Sequence, residues 1–172
     1  MFFEIQPLTS QQEYEKFLKT IGSLSNLFSD SNEPFLHYRI AEKLFCKAFD
    51  AQDLSRSDVS VDAKKDNIGI GLKTFLVGND KTFQKITEFG SNDRILYQEL
   101  STKDKIFKIA ELRNQRIDFT HRVHSIESSI YHCVVRETNK FKIFEEQLDL
   151  IEIANIKNIK EKKGSITFDD GK

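Results

Sequence analysis

The residues best suited to chemistry in this sequence are Asp62 and Lys73, which lie in two predicted strands joined by a polar turn. The segment 58–63 predicts the first strand, 64–67 the turn and 68–77 the second strand. Asp62 would end the first strand, and Lys73 would lie within the second. Hydrolysis of a phosphodiester needs acidic metal ligands, a group that helps to activate water, and positive charge at the phosphate. An aspartate and a lysine held by one hairpin could supply two of these parts.

Strand alternation predicts which side chains share a face with Lys73. Ile70, Leu72 and Thr74 would face one way, whereas the other face would carry Gly69, Gly71, Lys73 and Phe75. Lys73 would therefore lie beside backbone without bulky side chains. A lysine within an otherwise apolar strand is costly unless it is paired or has a function. Two ordinary alternatives stay open: Lys73 could protect an edge strand from aggregation, and Asp62 could accept hydrogen bonds from turn amides.

The surrounding sequence predicts the elements that position this hairpin. Helices are predicted over 10–28, 34–49, 81–89 and 101–124, and strands over 129–170, the segment 149–156 included. Pro34 suits the first turn of the second helix, and Glu42 lies off the apolar face of that helix. The order of helices and strands favours an α/β or α+β domain with a mixed sheet.

The run SVDAKKDNIGIGLKTF resembles the PD-(D/E)xK motif that many restriction endonucleases share. In that family an Asp, together with a Glu or Asp two residues before a Lys, binds one or two magnesium ions. The resemblance makes Asp62 the first metal ligand and Lys73 the motif lysine, and it implies a mixed central sheet flanked by helices. Two positions depart from the motif: Val61 replaces the proline, and Gly71 replaces the second acid.

The resemblance also indicates how the second acid could be replaced, because some members of the family draw an acidic ligand from a helix. Glu42, on the helix before the hairpin, is the first candidate, and Gly71 would leave room for it. Glu88, on the helix after the hairpin, is the second candidate. Asp58 could itself be the motif aspartate if the strand register is shifted.

Residues that would contact the substrate are predicted in two segments. A Gln-Lys pair recurs in such nucleases on the helix after the lysine strand, so the resemblance implies that Gln84 and Lys85 orient the attacking water or contact the scissile phosphate. Further along the chain, Arg113, Asn114 and Arg116 are residue types that read base edges or clamp phosphates. The same types would also suit an ordinary solvated helix.

Length and composition bound the domain organisation and the cellular location. The 172 residues, 38% hydrophobic and 31% charged, predict one ordered domain over 1–172. Its parts would be helical over 1–50, the catalytic hairpin over 55–78, helices over 80–124 and strands over 129–170. No apolar run approaches the roughly 18 residues of a membrane helix, and the N-terminus lacks a secretory pattern, so we expect a cytoplasmic protein without a membrane partner. The ending SITFDDGK suggests the N-terminal part of a longer chain.

These features together predict a metal-dependent DNA endonuclease, a type II restriction enzyme that cuts double-stranded DNA at a specific sequence. Asp62 and a helix-borne Glu would hold Mg²⁺, and Lys73 would stabilise the pentacovalent phosphate or help to deprotonate the water. A palindromic target would suit a homodimer. The net charge of -1 gives no global electrostatic argument for binding of nucleic acid. Two alternatives therefore stay open. The first is a DNA-binding or regulatory domain with a nuclease fold but no catalytic activity, which the absence of an acid at Gly71 would allow. The second is an α/β protein-interaction domain.

Overall fold

The computed structural model describes residues 1–25, 27–78, 93–163 and 165–171. The chain divides into two compact units, which are Met1–Thr82 with Thr120–Asp149 and Phe83–Phe119 with Leu150–Lys172. That the whole of 1–172 acts as a single domain stays a prediction. The predicted helix over 81–89 lies outside the described residues.

A mixed sheet forms the centre of the first unit, in agreement with the predicted α/β class. Among the described residues it has five strands, in the order β1-β2-β3-β4-β5. The strands are β1 (Gln52–Asp53), β2 (Ala63–Lys65), β3 (Ile68–Leu76), β4 (Ser128–Glu137) and β5 (Lys140–Gln147). β3 and β4 are parallel, whereas the other neighbouring pairs are antiparallel. A parallel pair requires a long crossover, and the connection from β3 to β4 contains the predicted helix α4 (Thr102–His124).

Three helices precede the sheet in the chain, namely α1 (Phe2–Ile5), α2 (Leu8–Ser25) and α3 (Tyr38–Phe49). The helix predicted from Pro34 begins later, at Tyr38. The reason is its N-cap, because Nδ1 of His37 accepts a hydrogen bond from the N–H of Arg39 at 3.3 Å. None of the described helices, α4 included, combines the length and the apolar character that a membrane span requires.

One face of the sheet and the three helices share a hydrophobic core. Ile70 and Leu72 of β3 are buried in it, together with Tyr14 of α2 and Phe45 of α3. Gly71 lies on the opposite face of β3, where its neighbours come from outside this core. The alternation predicted for β3 is therefore confirmed, and the helices leave one face of the strand for other contacts.

The turn of the β2–β3 hairpin is shorter than predicted. Its two residues are Asp66 and Asn67, so that Lys64 and Lys65 belong to β2 and pair with β3. Asp66 has a φ of 53°, the left-handed conformation that two-residue hairpin turns use and that aspartate tolerates. The local turn chemistry therefore selects a tight connection over the four-residue turn.

The strand predicted over 58–63 is wrong for 58–62, which are irregular, and Asp62 therefore lies immediately before β2 and not at the end of a strand. β2 begins at Ala63, which pairs with Ile70. Asp62 lies outside this ladder, but its N–H donates to the carbonyl of Ile70 at 2.9 Å. The hairpin thus connects the predicted aspartate to the strand that bears Lys73.

The second unit contains most of α4 and the predicted hairpin of β6 (Lys157–Lys162) and β7 (Ser165–Asp169). The prediction of a strand over 149–156 is wrong, because this segment contains a short 3-10 helix at Ile153–Asn155. The amide of Asn114 donates to the carbonyl of Ile151 at 2.9 Å and accepts the N–H of the same residue at 2.9 Å. A side chain therefore takes the backbone groups that a sheet ladder would need.

Candidate functional site

Asp62 is held by hydrogen bonds through its backbone and its side chain. Its N–H donates to the carbonyl of Ile70 at 2.9 Å, and its carbonyl accepts the N–H of Leu54 at 2.9 Å. Oδ2 of its carboxylate accepts the N–H of Leu72 at 2.7 Å. The residue is half-buried. Because these bonds fix the carboxylate in advance, it needs little ordering to act as a metal ligand.

Glu42 of α3 is a close electrostatic neighbour of Asp62. It is only 6% exposed, although its position in the helical pattern is off the apolar face of α3. Burial raises the pKa of Glu42, and the negative charge of Asp62 raises it further. A hydrogen bond with Ser55 and the charge of Arg39 lower this pKa, but by less. Each carboxylate disfavours the charge of the other, and a cation bound between them would relieve that repulsion.

Asp53 is a third carboxylate near this pair, and it was not identified from the sequence. Its charge also raises the pKa of Glu42. Asp53 is itself ion-paired with Lys43 and accepts hydrogen bonds from the N–H and the hydroxyl of Ser55 at 3.0 and 2.6 Å. The bonds from Lys43 and Ser55 lower the pKa of Asp53 to about 2. Asp53 thus stays ionised and adds negative charge beside Glu42.

Among the described residues, no group of three or more His, Cys, Asp or Glu side chains could hold a metal ion. Glu42 and Asp62 therefore do not belong to a metal site enclosed by protein ligands. Mg²⁺ commonly takes only one or two protein carboxylates and completes its octahedron with water and substrate phosphates, so the pair could supply at most that share of its ligands.

An open recess of about 640 Å³ adjoins Glu42 at the beginning of α3. Two arginines and three small polar residues line it, namely Arg39, Arg56, Ser55, Ser57 and Asp58. Guanidinium groups and hydroxyls are suitable donors to phosphate oxygens. The convergence of these two arginines was not predicted, because it depends on how the loop after β1 folds back on α3. Asp58, an alternative ligand in the sequence analysis, is exposed and lines this recess.

Lys73 lies next to an aromatic ring, on the face of β3 opposite the core residues Ile70 and Leu72. Its Nζ is 5.7 Å from the centroid of the Tyr131 ring on β4. Its positive charge also reaches Cys133, its partner in the parallel ladder. Burial raises the pKa of the Cys133 thiol to about 11 and Glu146 adds to the shift, whereas Lys73 opposes it. Lys73 is thus half-buried in a polar and aromatic environment.

The space beside Gly71 is filled, contrary to the expectation that it would be left for an acid from a helix. A Cβ at this glycine would lie 3.1 and 3.2 Å from two ring carbons of Tyr131 and 3.3 Å from Cδ1 of Leu148. The expectation that Lys73 lies beside backbone without bulky neighbours is wrong for the same reason. The ring packs against Gly71 because Tyr131 is its direct partner in the parallel ladder.

The residues predicted to contact DNA do not all lie within the described part of the chain. Gln84 and Lys85 lie outside it, as does Glu88, the second alternative ligand. Arg113, Asn114 and Arg116 belong to the second unit. Arg113 is 9% exposed, and the amide of Asn114 is bonded to the backbone of Ile151. These contacts give Asn114 a role in the fold, and DNA contact by the three residues stays a prediction.

A buried polar network in the first unit was also missed by the sequence analysis. Nδ1 of His132 lies 2.8 Å from Oε1 of Glu145, and Nε2 lies 3.2 Å from the hydroxyl of Tyr14. Both oxygens of Glu145 accept the N–H of Phe3 at 3.2 Å. Burial, followed by the charge of Glu145, raises the pKa of Tyr14 far above its ordinary range. This network connects α1 and α2 to β4 and β5, so it stabilises the fold of the unit.

Comparison of the chain with protein-family models, with curated proteins and with solved structures finds no match. The functional argument therefore depends on the residues and the geometry described above.

Proposed function

We propose that this chain is a Mg²⁺-dependent DNA endonuclease of the restriction type. The observation that carries the proposal is the coupled pair of carboxylates, Glu42 and Asp62, at the hairpin whose second strand bears Lys73. Repulsion between a buried acid and a half-buried one lowers the stability of the fold, which is common at sites selected for function. The resemblance to the PD-(D/E)xK motif supplies the class of reaction.

In this proposal Glu42 and Asp62 would hold the Mg²⁺ ion through their carboxylates. When bound, such an ion activates water and neutralises charge on the leaving 3′ oxygen. Lys73 would donate to a non-bridging oxygen of the scissile phosphate and stabilise the additional charge of the pentacovalent state. The hydrogen bond from Leu72 keeps Asp62 oriented through these events, because it comes from the backbone of the strand that carries Lys73.

The recess beside Glu42 supports a nucleic-acid substrate. Arg39 and Arg56 would contact backbone phosphates next to the one that is cut, and Ser55 and Ser57 would add hydroxyl donors. Such contacts carry no sequence information by themselves. The proposal also includes recognition of a specific double-stranded site and dimerisation on a palindrome. Both would depend on residues outside this recess.

The test is incubation of the chain with unmethylated phage DNA, with Mg²⁺ and with a chelator. Asp62→Asn removes a proposed metal ligand, and Lys73→Ala removes the lysine proposed to stabilise the phosphate. Their matched controls are Asp66→Asn, in the exposed hairpin turn, and Lys142→Ala, at an exposed position of β5. We expect discrete fragments that require Mg²⁺, persist in both controls and disappear in both site variants.

The other outcomes separate the alternative functions. Intact DNA together with salt-dependent binding of DNA would contradict the endonuclease and favour a nuclease-like module that binds without cutting. Neither cutting nor binding would favour a protein-interaction domain in which the hairpin is structural. Cutting that survives Asp62→Asn would place the metal ligands elsewhere in the chain.

A further inference from the structure

The β6–β7 hairpin of the second unit is a two-stranded ribbon with a polar face. Lys160 pairs with Thr167, and Lys162 pairs with Ser165. Directly opposite residues of an antiparallel pair lie on one face, and so do residues two positions apart on a strand. These four residues therefore form a lysine face with two ammonium groups and two hydroxyls. Lys160, Lys162 and Ser165 are exposed, whereas Thr167 is half-buried.

The opposite face of the ribbon is directed toward the rest of its unit. Glu161 and Ile166 are paired on this face, and Phe168 follows Ile166 by two positions. Both apolar side chains are half-buried. The hydroxyl of Thr102, the first residue of α4, donates a hydrogen bond to the carboxylate of Glu161. The lysine face is therefore directed away from this contact with α4.

Positive charge is concentrated at the turn end of the ribbon. Lys163 follows Lys162 in the turn, next to the lysine face. Within the part of the chain that the structure describes, no salt bridge involves Lys160, Lys162 or Lys163. At the other end of the ribbon the charges are balanced, because Lys157 is the ladder partner of Asp169. The turn end is therefore suited to an anionic partner.

The dimensions of the ribbon match the major groove of double-stranded DNA. β6 has six residues, and at about 3.3 Å per residue it is about 20 Å long. Two strands about 5 Å apart fit, with their side chains, a groove about 12 Å wide. The minor groove, about 6 Å wide, is too narrow for them. Lysine can donate to O6 and N7 of guanine in the major groove, and serine can bond to several base edges.

We propose that the lysine face of the β6–β7 ribbon binds in the major groove of DNA. Lys160, Lys162 and Ser165 contact base edges there. Lys163, in the turn, contacts a phosphate at the edge of the groove. The inference deepens the proposed endonuclease and rests on its DNA substrate, because it identifies the element that holds the duplex.

The first test measures binding of the full chain to a labelled duplex of mixed sequence by fluorescence anisotropy, with a chelator to prevent cleavage. Lys160→Gln combined with Lys162→Gln should weaken binding about tenfold. Arginine at the same two positions keeps the charges and should keep the affinity within about threefold of the wild type. The matched control is Lys16→Gln combined with Lys19→Gln, at exposed positions of α2, which removes the same charge and should bind like the wild type. Equal affinity of the two glutamine variants would overturn the proposal.

A second test identifies the groove that the ribbon occupies. Glucose attached to 5-hydroxymethylcytosine fills the major groove, whereas netropsin occupies the minor groove. We expect a duplex with glucosylated cytosines to bind about tenfold more weakly than the same duplex with ordinary cytosines, and netropsin to have little effect. The glucose should not weaken the glutamine variant of Lys160 and Lys162 further, because that variant has already lost the groove contact. Equal affinity for the two duplexes, or competition by netropsin, would overturn the placement in the major groove.

Binding without Mg²⁺ separates failure of this inference from failure of the proposed function. A chain that binds DNA through the lysine face but leaves it intact with Mg²⁺ would contradict the endonuclease and retain the ribbon as a DNA-binding element. A chain that cuts DNA, while its ribbon glutamine variant binds as tightly as the wild type, would overturn the role of the ribbon and retain the endonuclease. Absence of any DNA binding by the wild type would overturn both.

Discussion

The backbone N–H of Leu72 donates a hydrogen bond to Oδ2 of Asp62 at 2.7 Å, so the aspartate carboxylate is bonded to the strand that carries Lys73. The side chain of Leu72 is buried in the core. Core packing therefore fixes the backbone of Leu72, and the N–H of that backbone orients the Asp62 carboxylate.

Replacement of Asp62 by asparagine should separate its structural role from its proposed chemical role. Asparagine retains an oxygen that can accept the N–H of Leu72, whereas alanine leaves that donor without its partner. We expect Asp62→Asn to lie within about 0.5 kcal/mol of the wild type in urea unfolding, and Asp62→Ala to lose about 1–2 kcal/mol. Both should abolish Mg²⁺-dependent cleavage. Equal stability of the two variants would show that the bond to Leu72 contributes nothing measurable.

Glu42→Gln should stabilise the chain at neutral pH and remove its response to magnesium. The pKa of Glu42 is raised in the fold by burial and by Asp62, so ionisation is less favourable in the folded state than in the unfolded one. The resulting loss of stability develops as the pH rises above the ordinary value of 4.5 and is absent well below it. We expect the variant to be more stable by roughly 1 kcal/mol at pH 7, with the difference vanishing below about pH 4. Urea unfolding at the two pH values measures this, with Glu13→Gln on the exposed face of α2 as the control.

Magnesium provides an independent readout of the same pair. An ion that binds only the folded state raises stability by about 2.7 kcal/mol when its concentration is 100 times Kd. The wild type and Glu13→Gln should therefore melt at higher temperature with Mg²⁺, whereas Glu42→Gln should not respond. A response that persists in Glu42→Gln would mean that the ion binds without this carboxylate.

Local patterns were sufficient to predict much of the fold that holds the site. Alternation in β3 identified the face of Lys73, because each second residue on the core side is a large aliphatic that must be buried. Helical spacing identified α2 and α4 for the same reason. The start of α3 was predicted too early, because proline at a first helical turn is a weaker determinant than the His37 cap.

The interactions that define the site depend on residues far apart in the sequence, and periodicity does not report them. The burial of Glu42 depends on β2 and on the loop before it, so the helix pattern alone did not predict that this residue is buried. The ring beside Gly71 comes from a strand sixty residues later, by way of the parallel register. Likewise, His132 meets Tyr14 and Glu145 only after three elements have assembled.

Glu145→Gln should destabilise the first unit in a manner that depends on pH. Burial would raise the pKa of Glu145, but hydrogen bonds from His132 and from the N–H of Phe3, together with the charge of His132, hold it below its ordinary value of 4.5. A lowered pKa contributes stability that is present above 4.5 and is lost as the pH falls through the lowered value. We expect a loss of about 2 kcal/mol at pH 7 that shrinks toward zero in more acidic solution. The neighbouring Glu146→Gln, at an exposed position, is the control, and a loss independent of pH would refute the electrostatic explanation.

Substitution of the glycine beneath Tyr131 should be costly, whereas the same change at Gly78, two residues after β3, should not. In Gly71→Ala the new methyl group would lie 3.1–3.3 Å from the Tyr131 ring and Leu148, closer than ordinary van der Waals contact. Because both neighbours belong to packed strand and loop segments, relief requires movement of the ring, and we expect a loss of about 1–3 kcal/mol in the free energy of unfolding. Gly78→Ala is the matched control, since a Cβ there would meet nothing within 4 Å. The measurement is urea unfolding of both variants and of Gly71→Ala combined with Tyr131→Leu, in which the smaller side chain should restore part of the lost stability. If Gly71→Ala proves as stable as Gly78→Ala, the ring of Tyr131 does not pack against this backbone.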